Sequence, residues 1–390
     1  MEKVRLGILG LGNMGSSHAK KIFQGECPEI ELTAVADRKP DRIDWAKENL
    51  AGVPVFETAE ELIDSGLIDA LLVAVPHYDH PKYSIMAMRK GLHVMCEKPA
   101  GVYTNQVLEM NKVADECGVV FAIMMNQRTN CIYRKMREIV KSGELGAIRR
   151  TSWIITSWYR PQAYYDSGDW RATWSGEGGG VLLNQCPHNL DLWQWICGMP
   201  KTVEAKLHFG KWHDIEVEDD VTAYVEYENG ATGTFITTTG DCPGTNSFEI
   251  TLEKGKIIAD KDVLTMWKSE TDMTEPEFSA INTAPFGHMK YVVTEVETDG
   301  ENPKHMGVMR AFAANILRGE PLVADGREGI NGLTISNAMH LSAFTGKAIE
   351  LASFDHDLYE QELMKRVATS RRKEVSATAV AADMDNTFGS

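Results

Sequence analysis

Gly10-Leu11-Gly12-Asn13-Met14-Gly15 constrains this chain more than any other six residues. The segment follows an apolar run at 4–9 and leads directly into a helical pattern at 16–24. A strand that turns sharply into a helix needs a residue without Cβ at the turn. The second glycine lets the backbone approach a bulky anion, and the third lets helix and strand pack closely. The helix N-terminus then offers unpaired N–H groups to that anion. Asp37 lies 22 residues past Gly15, at the end of the next apolar run, where a carboxylate accepts hydrogen bonds from an adenosine ribose. Together these features predict a dinucleotide site, with Gly10, Gly12, Asn13, Met14 and Gly15 against the pyrophosphate. Asp37 repels a 2′-phosphate and so favours NAD over NADP. Arg38, next to it, either attracts such a phosphate, stacks on adenine or stays solvated.

The rhythm of the chain agrees. Short β-rich runs at 31–36, 70–75, 93–96 and 119–124 alternate with helical stretches at 41–49, 81–90 and 105–117. That is the βαβ signature of a doubly wound parallel sheet. Past residue 145 the periodicity becomes that of strands, up to residue 267. Asn229-Gly230 separates 221–228 from 231–239 as a hairpin, and a second hairpin is expected at Lys254-Gly255. A helix at 188–196, stopped by Gly198 and Pro200, interrupts the strands, and helices at 304–317 and 328–347 follow. The expected fold class is α/β: a doubly wound parallel sheet over residues 1–125, then a mostly antiparallel second domain over 126–364. Residues 365–390, rich in Ser, Thr, Ala and charge, are expected to be a mobile tail or an arm that orders on a partner subunit.

Composition narrows the function classes. With 390 residues, 43% hydrophobic and 25% charged, the chain resembles ordinary globular proteins. Net charge of −16 disfavours nucleic acid as a partner. No apolar run of membrane-spanning length occurs, and the first residues enter a strand pattern directly, so neither a membrane partner nor a secretory signal is expected. Seven cysteines, with no Cys-x-x-Cys pair, argue against a disulfide framework and a structural zinc site, and fit a reducing cytoplasm. No metal is expected.

Two dense regions carry candidate chemistry. Glu97-Lys98-Pro99 ends the strand pattern at 93–96, and in an open parallel sheet the ligand crevice lies at the carboxyl ends of strands. Lys98 is thus either a proton-relaying group beside a substrate hydroxyl or a surface lysine before a turn. The second region is Gly176-Glu177-Gly178-Gly179-Gly180 followed by Asn184 and His188. Its glycines allow close backbone approach to a large group. His188 follows Pro187 at a helix start, where its ring projects into a cleft as an acid/base or packs in the core. The segment 153–174 holds seven aromatic residues, among them Trp158, Tyr164, Tyr165 and Trp170. Such rings suit the faces and hydroxyl edges of a pyranose, or equally a core or a subunit interface. Arg160 and Arg171 sit among them, to bind an anionic group, to stack, or to pair with Asp166 and Asp169. His77 and His80 follow the fourth strand, His77 near the expected nicotinamide and His80 as a helix cap.

Gly10–Gly15, Asp37, Val75-Pro76, Glu97-Lys98-Pro99, Asn126-Gln127-Arg128, Gly143-Glu144-Leu145-Gly146 and the 178–191 stretch occur in this order. As a set they resemble the Gfo/Idh/MocA family of sugar and cyclitol oxidoreductases, over residues 4 to about 350. The resemblance implies a Rossmann domain and a C-terminal α/β domain with a large open, mostly antiparallel sheet that forms oligomer contacts, as a dimer or tetramer. It implies NAD(P), hydride transfer at a carbinol carbon, and catalytic roles for Lys98 and His188. Pro76, His77, Glu97, Lys98 and Asn126 join the expected cofactor contacts, beside Arg38. The substrate set becomes Arg128, Trp158, Tyr164, Tyr165, Trp170, Asn184 and His188. One departure stands out: many members carry aspartate four residues before the histidine, and here that position is Asn184, which cannot take up a proton. The expected function is an NAD-dependent oxidoreductase acting on a sugar, glycoside or cyclitol. The alternative is an NAD-dependent glycoside hydrolase or lyase that oxidises the ring only transiently, with catalytic NAD.

Overall fold

The computed structural model describes residues 2–371 and 373. Six strands form the first sheet: β1 (Val4–Leu9), β2 (Ile30–Ala36), β3 (Val55–Phe56), β4 (Ala70–Val73), β5 (His93–Cys96) and β6 (Phe121–Ile123). All pair in parallel, in the order β3-β2-β1-β4-β5-β6. This is the doubly wound order, whose direction reverses between β1 and β4 and leaves a crevice at the carboxyl ends of the strands. The period of two sends alternate residues to opposite faces. Ala70 and Leu72 join Val4, Leu6 and Ile8 under one helix layer, while Leu71 and Val73 join Val94 and Cys96 under the other. The first layer includes the distant helix Lys304–Arg318, which returns to this sheet through Met309 and Phe312.

The second sheet is built from β7 (Ile148–Ile155), β8 (Thr202–Phe209), β9 (Glu218–Glu226), β10 (Thr232–Thr238), β11 (Asn246–Leu252), β12 (Gly255–Asp260), β13 (Val263–Ser269), β14 (Tyr291–Glu295) and β15 (Ile349–Glu350). Its order is β14-β13-β12-β11-β7-β10-β9-β8-β15. Every pair is antiparallel except β7 with β10. Both expected hairpins form, β9–β10 around Gly230 and β11–β12 at Gly255. The expected helices appear as Pro187–Cys197, Lys304–Arg318 and Gly329–Thr345. Part of the expected C-terminal tail is helix, since His356–Ala368 runs through residue 368. Ser370 and Arg371 then bond back to Ser175 and Glu216, Lys373 Nζ donates to the Tyr165 carbonyl at 2.5 Å, and the rest of that tail lies outside the described residues.

The long excursion from β7 to β8 carries the aromatic segment, the glycine run and the helix Pro187–Cys197. Ring packing fixes it to the sheet. Trp153 on β7 lies opposite Phe248 on β11 and Phe235 on β10, stacked on the first at 4.2 Å between ring centroids and edge-on to the second at 6.2 Å. Trp193 of the helix stacks on Phe235 at 5.4 Å, and its Nε1–H donates to Thr151 Oγ1 at 3.1 Å. Trp153 has no exposed surface. Truncating it to alanine leaves a cavity between Tyr133, Phe235 and Phe248, and is expected to cost about 3–5 kcal/mol in urea unfolding. A loss under about 1 kcal/mol would mean the core collapses around the gap.

Candidate active site

The glycine loop has the geometry its sequence requires. Gly10 has φ of +92°, and a Cβ there would meet the Ala74 carbonyl; a Cβ on Gly15 would sit 1.8 Å from the Gly10 carbonyl oxygen. Around Gly12, by contrast, no atom lies within 4 Å of where a Cβ would be, so the loop is open on that side. The helix that follows, Asn13–Phe23, has no side-chain cap and no acidic residue in its first turn. Its free N–H groups suit an anion. Asn13 is exposed and Met14 half-buried at this end. Asp37 stands at the end of β2, with Oδ2 accepting from Leu11 N–H at 2.6 Å and Oδ1 from Lys39 N–H at 2.9 Å. Arg38 is exposed beside it.

Pro76, Glu97, Lys98 and Asn126 also follow strands of this sheet at their carboxyl ends. Asn126 is fully buried, yet neither side-chain atom has a hydrogen-bond partner among the described residues. A buried amide of this kind is satisfied by a bound polar group. The glycine loop, the uncapped helix, Asp37 and the Asn126 amide therefore fit a dinucleotide. Glu97 is committed elsewhere: its Oε1 lies 2.6 Å from His18 Nε2, and its Oε2 accepts from Lys98 N–H. Burial raises its carboxyl pKa, but the His18 bond and nearby cations outweigh this and hold it at about 2.

Lys98, after β5, is where the two sheets meet. Its Nζ donates to the Asn184 carbonyl at 3.0 Å, and the Lys98-Pro99 bond is cis. Burial pulls its pKa down, opposed by Glu97 and Glu177. His188 lies in the first turn of Pro187–Cys197, buried. Burial drives its pKa well below 6.5, reinforced by Lys98 and His305, so the ring is neutral and able to accept a proton. The side-chain nitrogen of Asn184 donates to Tyr164 Oη at 3.2 Å and to Glu177 Oε1. His77 is buried with Nδ1 3.2 Å from the Glu177 carbonyl oxygen and its ring edge-on to Trp170 at 5.8 Å. His80 does not cap its helix; its ring nitrogens lie 2.7 Å from the Pro99 and Val75 carbonyl oxygens.

Three expectations need correction. Arg128 does not face a substrate: its guanidinium grips Asp191 at 2.8 and 2.6 Å and Glu328 at 2.7 Å. Trp158 and Tyr165 are buried, with Trp158 Nε1–H donating to Asn189 and Tyr165 O–H to Thr239. Trp153 and Trp174 are buried too, so most of the aromatic segment is core, while the half-buried Tyr164 and Trp170 lie against Asn184 and His77. Arg171 stacks over both of those rings, at 4.5 and 4.7 Å. Sequence reasoning missed Glu177, although it stands inside the glycine run, and His305, whose ring meets His18 edge-on at 5.2 Å. No local signal could have linked His305 to the site.

Comparison with known proteins fits this geometry. Residues 4–125 match the family model described as an oxidoreductase family with an NAD-binding Rossmann fold, and residues 133–258 match the GFO/IDH/MocA C-terminal domain. The chain belongs to the Gfo/Idh/MocA family. Within it, the chain is 29% identical to the rhizopine catabolism protein MocA of Rhizobium meliloti over 204 residues, 52% of this chain and 60% of that one, less than two thirds of the relative. It is 25% identical to the D-glucoside 3-dehydrogenase of Escherichia coli (strain K12) over 372 residues, 89% of this chain and 97% of that one. Among solved structures it is similar to the WlbA dehydrogenase from Bordetella pertussis, in complex with NADH and UDP-GlcNAcA, with TM-score 0.74 and 27% identity over 89% of this chain and 98% of that one. Across the described residues of this Gfo/Idh/MocA chain, no helix is long and apolar enough to cross a membrane.

Buried neutral histidines make the site sensitive to acid. Burial lowers the pKa of His77 and His188 well below 6.5 and that of His305 to about 4. A histidine with a depressed folded-state pKa stabilises the fold fully above its unfolded value and loses that stability as pH falls below it. Glu177, raised to about 7, acts in the opposite direction, but as one group against three. The melting temperature is therefore expected to drop as pH falls from about 7 to about 5. A flat profile over that range would mean these rings are already charged in the folded protein.

Proposed function

We propose that the protein is an NAD-dependent oxidoreductase that moves a hydride between a ring carbinol carbon of a sugar, glycoside or cyclitol and nicotinamide. The observation that carries this reading is the Lys98 Nζ bond to the Asn184 carbonyl. It joins the crevice of the dinucleotide-type sheet to the segment bearing Asn184 and His188. Gly10 to Gly15 would hold the pyrophosphate, Asp37 the adenosine ribose, and Asn126 the nicotinamide end. When bound, the dinucleotide supplies the acceptor for the hydride that leaves the carbinol C–H.

The chain's own work is orientation and proton handling. His188 is neutral, so its ring can take the hydroxyl proton as the carbonyl forms. Lys98 can donate a hydrogen bond to the same oxygen and hold it in line. Trp170 and Tyr164 offer ring faces to the sugar, and Asn184 an amide to a hydroxyl. Two of the relatives named above, the D-glucoside 3-dehydrogenase and the WlbA dehydrogenase, are dehydrogenases, which supports net oxidation over the redox-neutral glycosidase alternative. The same reading gives residues 1–125 to the cofactor and 126–364 to substrate and assembly. Exposed Ile154 and Tyr224 on the second sheet, and Tyr291, Val292 and Val293 on its edge, support a homo-oligomer. Seven cysteines without a disulfide support a cytoplasmic location.

The test is a panel of sugars, glycosides and cyclitols with NAD, followed by NADH absorbance and mass spectrometry. One NADH per oxidised product is expected; a consumed glycoside with no net NADH would replace this reading by the hydrolase. Lys98→Met should lower turnover by about a hundredfold or more while NAD affinity stays nearly intact. Near-normal turnover would remove Lys98 from the chemistry. In fluorescence titrations NADH should bind more tightly than NADPH, and Asp37→Ala should narrow the gap by removing repulsion of the 2′-phosphate. Tighter NADPH binding by the unaltered protein would overturn the cofactor assignment.

A further inference from the structure

Glu177 has no part in the reaction above, yet its carboxylate is built into the site. It is 1% exposed. One oxygen, Oε2, accepts from Ala172 N–H at 2.6 Å, and the other, Oε1, accepts from Asn184 Nδ2. The second hydrogen of Asn184 Nδ2 goes to Tyr164 Oη, which in turn accepts from Arg171 Nη1 at 2.8 Å. A primary amide has two N–H hydrogens and one carbonyl oxygen. Both hydrogens of Asn184 are thus spent on protein. Asn184 is only half-buried, so what it has left for the cleft is Oδ1, an acceptor.

The orientation depends on charge at position 177. A carboxylate only accepts, so it admits one orientation of the amide. A protonated carboxyl can donate, and then the amide can turn over. The charged groups around Glu177 are Arg171, Lys98 and Lys373 on the positive side and Glu218 on the negative, with the Tyr165 phenol beside them. Burial outweighs the cations and raises the carboxyl pKa to about 7. Its charge therefore changes near neutral pH.

We propose that Glu177 is a positioning residue that sets substrate choice: its carboxylate locks the Asn184 amide with Oδ1 toward the cleft, so the site demands a hydroxyl donor beside the carbinol being oxidised. This rests on the oxidoreductase reading above. The carboxylate stands at position 177 and reaches the substrate through the amide.

Binding is the primary readout, because it needs no turnover. A methyl glucoside and its singly O-methylated ethers are titrated by calorimetry into NADH-loaded protein. An ether keeps an acceptor at the blocked position and removes the donor. At about pH 8, blocking one hydroxyl should weaken binding by roughly tenfold or more. Glu177→Gln should reduce that discrimination to within about threefold, with NADH affinity unchanged. Adding Asn184→Asp to Glu177→Gln returns an acceptor-only group to the cleft and should restore the discrimination, which a merely structural role would not do. The unaltered protein alone should lose discrimination between about pH 8 and about pH 6, so the idea stays testable if Glu177→Gln folds poorly. Unchanged discrimination in Glu177→Gln, no restoration in the double variant, or a pH-independent ratio would each overturn the proposal while leaving the oxidoreductase reading intact. If the glucoside does not bind, the same titration is run with the sugars, glycosides and cyclitols of the panel above, and absence of binding by all of them would overturn both.

Discussion

Arg128 and Asp191 meet in a bidentate pair with almost no exposed surface, and much of the site hangs from it. Arg128 lies just past β6 of the first sheet, and Asp191 is one turn into the helix that begins at Pro187. Burial raises the Asp191 carboxyl, while the guanidinium pulls it back toward ionisation. Removing Arg128 would leave the Asp191 charge out of water without its ion-pair partner, which typically costs about 3–5 kcal/mol. That penalty holds the helix at one angle to the first sheet. Three residues before Asp191, His188 is thereby fixed relative to the ends of the strands.

The other ties between the halves have the same character. Tyr78 O–H donates to the Trp174 carbonyl at 2.7 Å, and His77 faces the Glu177 carbonyl. Each joins a loop at the carboxyl end of the first sheet to the excursion between β7 and β8. The cleft is therefore bounded by polar groups already committed to main-chain partners. What remains for a ligand is a short set: the glycine loop, Asp37, Asn126, Lys98, His188, one face of Asn184, and the rings of Tyr164 and Trp170.

Much of this was legible in the sequence wherever the signal is local. The first sheet follows from short apolar runs spaced by helical patterns, and the glycine loop from three residues whose Cβ atoms have no room or no purpose. Asn229-Gly230 announced its hairpin because a tight turn needs a positive φ. The misreadings share another cause. Aromatic density is the same whether rings face a sugar or a core, so Trp158 and Tyr165 could not be told from Trp170. An arginine near a cleft reads as a ligand contact until Asp191, 63 positions on, is seen to claim it. Glu177 was hidden by its company, since a glycine run draws attention to backbone rather than to the one side chain within it. The short strand β3 owes its form to pairing with β2, whereas the helix Ala59–Ile63 opens on a capping box of Thr58 and Glu61, a local signal that sequence reasoning missed.

Helix Lys304–Arg318 has a consequence for how the molecule comes into being. It supplies Met306, Met309 and Phe312 to one side of a sheet whose strands are all complete by residue 123. During synthesis that side has its own strands and the helix Asn13–Phe23, but its last cover arrives only after strands β7 to β14 of the second sheet have left the ribosome. An apolar surface that waits this long is open to the wrong partner, and its contacts, spanning nearly three hundred residues, are slow to form. The first unit looks self-contained along the chain, yet in time it is among the last parts of the molecule to be finished.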